Sequence, residues 1–283
     1  MSAGGPEAPA SRSWLLLAPA LLALAIFFIY PLSGMLSRSF LDPALTWKHY
    51  ARVVAEPVYL QILLQTFSIA GMVTIGTIIL GYPLAYFLSQ IRPATAALLM
   101  ILVVVPYFTS VLVRTYAWMV LLGTEGILNR LLITSGIVNQ PIKLMYTRLG
   151  VLIGMNYILL PYMVLALYSV MRGIDTNLMS AAESLGASRL RAFWRIFVPL
   201  SRPGLAAGAL LVFILSLGFF VTPALMGNEQ DSMISMLIES QVEVYFDWGF
   251  ASALASILLG CTLVLFVIYE RVVGLQRLFE AKI

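Results

Sequence analysis

Residues 180–204 read SAAESLGASRLRAFWRIFVPLSRPG, a polar and basic interruption between two long apolar runs. Its local signals describe a connection with internal structure. Asn177 to Leu185 is helix-compatible, Gly186 is a stop or bend, Ser188 to Phe197 is basic and amphipathic, and Pro199 and Pro203 precede the next apolar run. On these residues alone two readings stay open: a cytoplasmic loop that is basic because such loops usually are, or a surface built for a partner. The flanking runs, Gly150–Met171 and Leu205–Leu225, are each long enough to cross about 30 Å of hydrocarbon, and they set the fold class.

The whole chain agrees with them. Of 283 residues 61% are hydrophobic and 11% charged, against about 25% charged in an ordinary soluble domain, and mean hydropathy is +0.95. This is an all-α integral membrane protein. A net charge of +4 raises nucleic acid as a partner, but the basic residues sit beside apolar runs, where topology explains them, and no nucleic-acid role is assigned. Cys261 lies inside an apolar run and reads as a small buried residue.

Working outward, the expected organisation is a tail at 1–13, one six-span domain at 14–270 and a tail at 271–283. The spans are expected at 14–36, 60–88, 96–122, 150–171, 205–225 and 250–269, with a loop at 172–203. The first run is too long for a signal-peptide core and is read as a retained span. His49, in the 37–59 connection with Trp47 and Tyr50, has no second ligand at metal spacing and is expected to be solvated; no metal site is assigned. Gly71, Gly76 and Gly81 mark the second span as packed against other helices. The third is interrupted by Pro106 and holds Arg114, which either lies at a functional site or snorkels to the interface. Ile127–Ile133 and Ile137–Tyr146 are too short to cross and are expected as a surface elbow. Asn156, near the middle of the fourth span, either bonds across helices or faces substrate.

Residues 227–248 carry Glu229, Asp231, Glu239, Glu243 and Asp247 and no lysine or arginine. Counting basic residues loop by loop places Arg12, Arg92, Arg172, Arg189, Arg191, Arg195, Arg202, Arg271, Arg277 and Lys282 on one side, and Arg38, Lys48, Arg52, Arg130, Lys143 and Arg148 on the other. The positive-inside rule then puts both termini and the 180–204 stretch in the cytoplasm and the acids outside. Those acids form a candidate outward rim for a cationic solute or a basic delivery protein, or simply a solvated edge.

Catalytic signatures are missing. There is no phosphate-cradling GxxxxGK[ST], no HExxH and only one histidine, so no catalytic residues are assigned. A channel, a self-sufficient carrier, a membrane enzyme and the pore subunit of an assembly with a separate ATPase remain as classes. No inverted repeat and no intramembrane carboxylate cluster favours the carrier or the enzyme.

Ser180-Ala181-Ala182, then Gly186, then Ile196-Phe197-Val198-Pro199 resembles the EAA motif of bacterial binding-protein-dependent ABC importer permeases: EAA, three residues, Gly, nine residues, I-x-L-P. The spacing matches throughout, with Ser180 where the family has Glu and Val198 where it has Leu. Pro106 to Ser110, Arg114 to Trp118, Leu122-Gly123 with Asn129, and Phe220 to Leu225 resemble the spermidine/putrescine branch. Permeases for opines, aminophosphonates or amino-acid-like solutes are similar in the same stretches.

The resemblance implies a type I importer permease in the bacterial inner membrane. It implies a second permease, in a heterodimer, two ATP-binding subunits and a soluble substrate-binding protein, with ATP and Mg on the ATPases and no cofactor on this chain. It implies ATPase coupling through Ser180, Ala181, Ala182, Glu183, Leu185, Gly186, Ala187, Ile196 and Pro199. For a polyamine, the candidate path residues are Tyr107, Arg114, Tyr116, Trp118, Asn156, Tyr157, Tyr162, Phe219 and Phe220, the aromatics offering cation–π contact or serving ordinary packing.

Overall fold

A computed structural model describes residues 10–42, 44–175 and 177–271. Most of both expected tails, residues 1–9 and 272–283, lies outside them. The described residues are helical with no strand: α1 (Ala10–Leu24), α2 (Tyr30–Leu41), α3 (Lys48–Ala55), α4 (Pro57–Gln90), α5 (Pro93–Val104), α6 (Val111–Leu122), α7 (Ile127–Thr134), α8 (Arg148–Met171), α9 (Asn177–Ser184), α10 (Arg189–Ala192), α11 (Val198–Leu217), α12 (Val221–Met226), α13 (Ile234–Glu243) and α14 (Trp248–Tyr269). Six helical stretches are long and apolar enough to cross a membrane: Leu17–Leu41, Pro57–Gln90, Val111–Thr134, Arg148–Met171, Arg189–Leu217 and Trp248–Tyr269.

Two compact units divide the chain, Met1–Ala55 with Ile238–Ile257, and Glu56–Leu237 with Leu258–Ile283. In the first, Phe40 stacks on Tyr50 at 4.9 Å and meets Trp47 edge-on at 5.1 Å. His49 is half-buried: its Nε2 lies 3.1 Å from the Asp42 carbonyl oxygen, and the ring fills the space beside Gly249. It is thus a packing residue where the sequence suggested a solvated one.

The second unit is built on α4, α8 and α11, whose shared core is Ile69, Val73, Met155, Leu159, Met163, Leu167 and Val212, all at most 1% exposed. Lipid offers these helices no hydrophobic drive to associate, so close packing must do it, and small residues provide the approach. A Cβ on Gly208 would stand 2.9 Å from Met163 Sδ, and one on Gly204 would stand 2.9 Å from the Ala166 carbonyl oxygen. The elbow after α6 is stapled by buried Asn129, which donates to the Gly123 and Ile142 carbonyl oxygens at 3.1 and 3.0 Å and accepts from Ile142 N at 2.8 Å.

Two spans differ from their expected form. The run expected at 96–122 is divided: α5 passes into a 3₁₀ turn, Val105–Phe108, Thr109 is extended, and α6 starts at Val111. Pro106 supplies no N–H for the α-helical ladder, which gives way there to the 3₁₀ turn, while Val105 itself stays helical. The fifth span starts well inside the stretch expected as loop: α10, the π turn Phe193–Phe197 and α11 run on as one helical stretch from Arg189 to Leu217, with Pro199 just after the π turn. It stops at Leu217, before Gly218.

Candidate functional site

The 180–204 stretch folds as a short helix on a hinge. Asp175 Oδ1 accepts from Asn177 N at 2.9 Å at the start of α9. At its end Gly186 N–H donates to the Glu183 carbonyl oxygen at 2.9 Å and Ala187 N–H to that of Ala182 at 3.0 Å, with Gly186 at φ +89°. That pair of bonds is a Schellman closure, which needs a left-handed residue and so selects glycine. Ser188 Oγ then accepts from Arg191 N at 3.4 Å to open α10.

A π turn, Phe193–Phe197, follows, and its extra residue places Ala192 and Phe197 on the same buried side. Phe193 and Phe197 lie 5.1 and 4.8 Å from Tyr86 of α4, edge to face, and Tyr82 Oη is 2.7 Å from Ser201 Oγ. These aromatics anchor α9 to the bundle. Ser180, Ala181, Glu183 and Gly186 are exposed, Leu185 is 90% exposed, and Ala182, Ala187, Ile196 and Pro199 are half-buried. A cavity of about 380 Å³ separates α9 from α4; Ser180 and Glu183 line it with Tyr86, Gln90 and Arg189. Glu183 Oε1 accepts from Arg189 Nε at 3.3 Å.

A second constellation forms within the bundle. Tyr107, Arg114, Tyr162, Phe219 and Phe220 line one cavity of about 370 Å³, together with Gly218 and Ile158. Tyr107 and Tyr162 meet edge-to-face at 5.6 Å, and Arg114 Nε is buried without a hydrogen-bond partner. Arg114 is the only charged residue in that lining. The break beside Tyr107 follows the 12 residues of α5, a rise of about 18 Å, and directly precedes α6. Within hydrocarbon, irregular backbone is tolerated only when buried in protein or facing an aqueous cavity.

The other expected path residues stand apart from this lining. Trp118 and Tyr157 pack edge to face at 5.3 Å, and Tyr116 is 54% exposed. Asn156 donates through Nδ2 to the Leu152 carbonyl oxygen at 2.8 Å; its carboxamide occupies the space a side chain on Gly76 would need, and its Oδ1 is buried without a partner. Residues that sequence reasoning did not select also shape the site. Thr109 is the extended residue of the break, Gly218 joins the cavity lining, and Thr115 Oγ1 meets Thr222 Oγ1 at 3.2 Å to tie α6 to α12. Pro106 and Gly218 were the available signals.

Of the acids, Asp231 is 2% exposed and accepts from Arg148 Nε at 2.9 Å, which removes it from a solvated rim. Asp247 sits 3.5 Å from Arg52 and accepts from Phe250 N at 3.0 Å. Glu229 and Glu243 are exposed and Glu239 half-buried.

Residues 13–282 match the family described as "Binding-protein-dependent transport system inner membrane component". The chain is 37% identical over 275 residues to the spermidine/putrescine transport system permease protein PotB of Haemophilus influenzae, covering 95% of this chain and 93% of that one. It is 37% identical over 245 residues to PotB of Escherichia coli K12, with 87% and 88% covered. The sulfate transport system permease protein CysT of Salmonella typhimurium is 27% identical over 252 residues, with 88% of each covered. Among solved structures, a bacterial ABC transporter that imports alginate superposes with a TM-score of 0.72 at 18% identity, over 93% of this chain and 97% of that one, a likeness of fold. The chain belongs to the binding-protein-dependent transport system inner membrane component family, and is a multi-pass permease subunit of an ABC importer.

Proposed function

We propose that this permease forms half of the translocation path of an ATP-driven importer for polyamines of the spermidine/putrescine class. The observation that carries the path is the helix break beside a cavity walled by Tyr107, Tyr162, Phe219 and Phe220. Aromatic faces attract ammonium groups, by about 0.5–2 kcal/mol each when desolvated. The relatives' printed substrate supports the solute class.

In this proposal α9 docks on a separate ATP-hydrolysing subunit, with Leu185, Ala181 and Gly186 offering shape where Ser180 offers no charge. ATP and Mg stay on that subunit and the chain holds no cofactor. A second, different permease completes the path, a soluble binding protein delivers solute from outside, and both termini are cytoplasmic. Glu239 and Glu243, one turn apart on α13, are the outward acids.

One observation favours a second solute class. The single charge in the cavity lining is the guanidinium of Arg114, which suits a solute carrying an anionic group beside its amines. ATPase stimulation of the reconstituted assembly decides between them. Spermidine and putrescine are expected to stimulate and neutral or anionic solutes to leave the basal rate unchanged; the reverse order would sink the polyamine assignment. Concentrative uptake by this subunit alone, without any ATPase, would sink the importer mechanism.

A further inference from the structure

Residues 189–217 run as one helical stretch of 29 residues, about 43 Å at 1.5 Å per residue, against about 30 Å of hydrocarbon. Its first turns therefore stand in the headgroup layer. The level is fixed by its neighbours: Phe193 and Phe197 lie against Tyr86, four residues before α4 ends at Gln90, and Arg172 at the end of α8 donates to the Ser89 carbonyl oxygen at 2.8 Å.

One side of this helix, Ala192, Phe197 and Ser201, is buried. The other presents Arg191, Trp194, Arg195 and Arg202, all exposed, with Trp194 at 61%. None of these three arginines makes an ion pair among the described residues, whereas neighbouring Arg189 is held by Glu183. Arg202 follows Ser201, which meets Tyr82 one turn of α4 further into the membrane than Tyr86. A soluble subunit approaching from the cytoplasm does not reach that level; a lipid headgroup does, because arginine snorkels to it.

We propose that Arg191, Trp194, Arg195 and Arg202 form a face that binds the headgroup phosphates of acidic phospholipids in the cytoplasmic leaflet. The proposal rests on the inward orientation given above. A guanidinium fork matches a phosphate's oxygens, indole belongs at the interface, and the unpaired positive charge complements that leaflet's negative surface. The lipid would brace the helix that joins α9 to the bundle.

The test uses the assembled transporter, purified with its ATPase subunits and placed in phosphatidylcholine nanodiscs titrated with phosphatidylglycerol, with bound lipid counted by native mass spectrometry. The native assembly is expected to retain phosphatidylglycerol over phosphatidylcholine. Arg191→Gln, Arg195→Gln and Arg202→Gln are each expected to weaken retention about fivefold, and Arg195→Lys to weaken it less. Equal retention by all variants would overturn the proposal. So would loss of the ATPase or of the second permease from Arg191→Gln or Arg195→Gln with lipid retention unchanged, which would assign the face to a protein partner. Labelling of Arg195→Cys, in a Cys261→Ser background, by an impermeant maleimide from outside would overturn the orientation instead, independently of the lipid count.

Discussion

The chain interrupts its helices in two settings, and each break follows the rules of its solvent. At Gly186 the interruption is closed by its own backbone, through the bonds to the Ala182 and Glu183 carbonyl oxygens, and its side chains face water. At Thr109 and Ser110 the interruption falls inside a long apolar run, and its surroundings come from far along the chain: Tyr162 from α8, Phe219 and Phe220 from between α11 and α12. Water forgives exposed polar backbone and hydrocarbon does not, so the first break is a local device and the second a tertiary one. The first suits a lever that must move as a unit, and the second suits a chamber.

Substitutions that strike one break and spare the other sharpen this contrast. The largest effect is expected from Gly186→Asp. A side chain at φ +89° costs about 1–2 kcal/mol, which tilts α9 against α10. Uptake should fall about tenfold or more while basal ATPase activity, assembly and detergent melting temperature persist. If uptake and hydrolysis fall together with melting temperature, the hinge is merely structural.

Gly154→Leu strikes the distant walls instead. Its Cβ would stand 2.7 Å from Thr222 Cγ2 and 3.0 Å from Met226 Sδ, pushing α12 off α8. Overpacking should cost about 1–3 kcal/mol, read as a lower melting temperature together with reduced uptake. Arg148→Gln comes next, leaving the buried Asp231 carboxylate unpaired for about 1–3 kcal/mol, discounted because the arginine side chain is 43% exposed. Adding Asp231→Asn should restore most of the loss; if it does not, the ion pair is not the cause. The smallest effect belongs to Glu239→Gln with Glu243→Gln, within about 0.5 kcal/mol of native stability. Their readout is affinity for the delivery protein and uptake, and no change in either would remove the acidic edge from the mechanism.

Legibility followed the same division. The α9 hinge was readable because its chemistry is contiguous: a helix-compatible piece from Asn177, a glycine as stop or bend and a basic amphipathic piece follow one another within 177–197. The cavity was readable only as a list. Tyr107, Arg114, Tyr162, Phe219 and Phe220 meet around one cavity, whereas Trp118 and Tyr157 pair with each other, since an aromatic's spacing along one helix does not say which neighbour it will meet. Asp231 misled because loop charge says nothing of burial, and its partner Arg148 is 83 residues away.

By itself the sequence determined six apolar runs and the bend at Gly186, because hydropathy and left-handed backbone act over a few residues. Tertiary structure alone decided which helices pack through Gly204 and Gly208, where the break after Pro106 finds its walls, and which acids are already paired. Those outcomes depend on side chains brought together across the bilayer, and in hydrocarbon that assembly is governed by shape and by the need to satisfy every buried polar group.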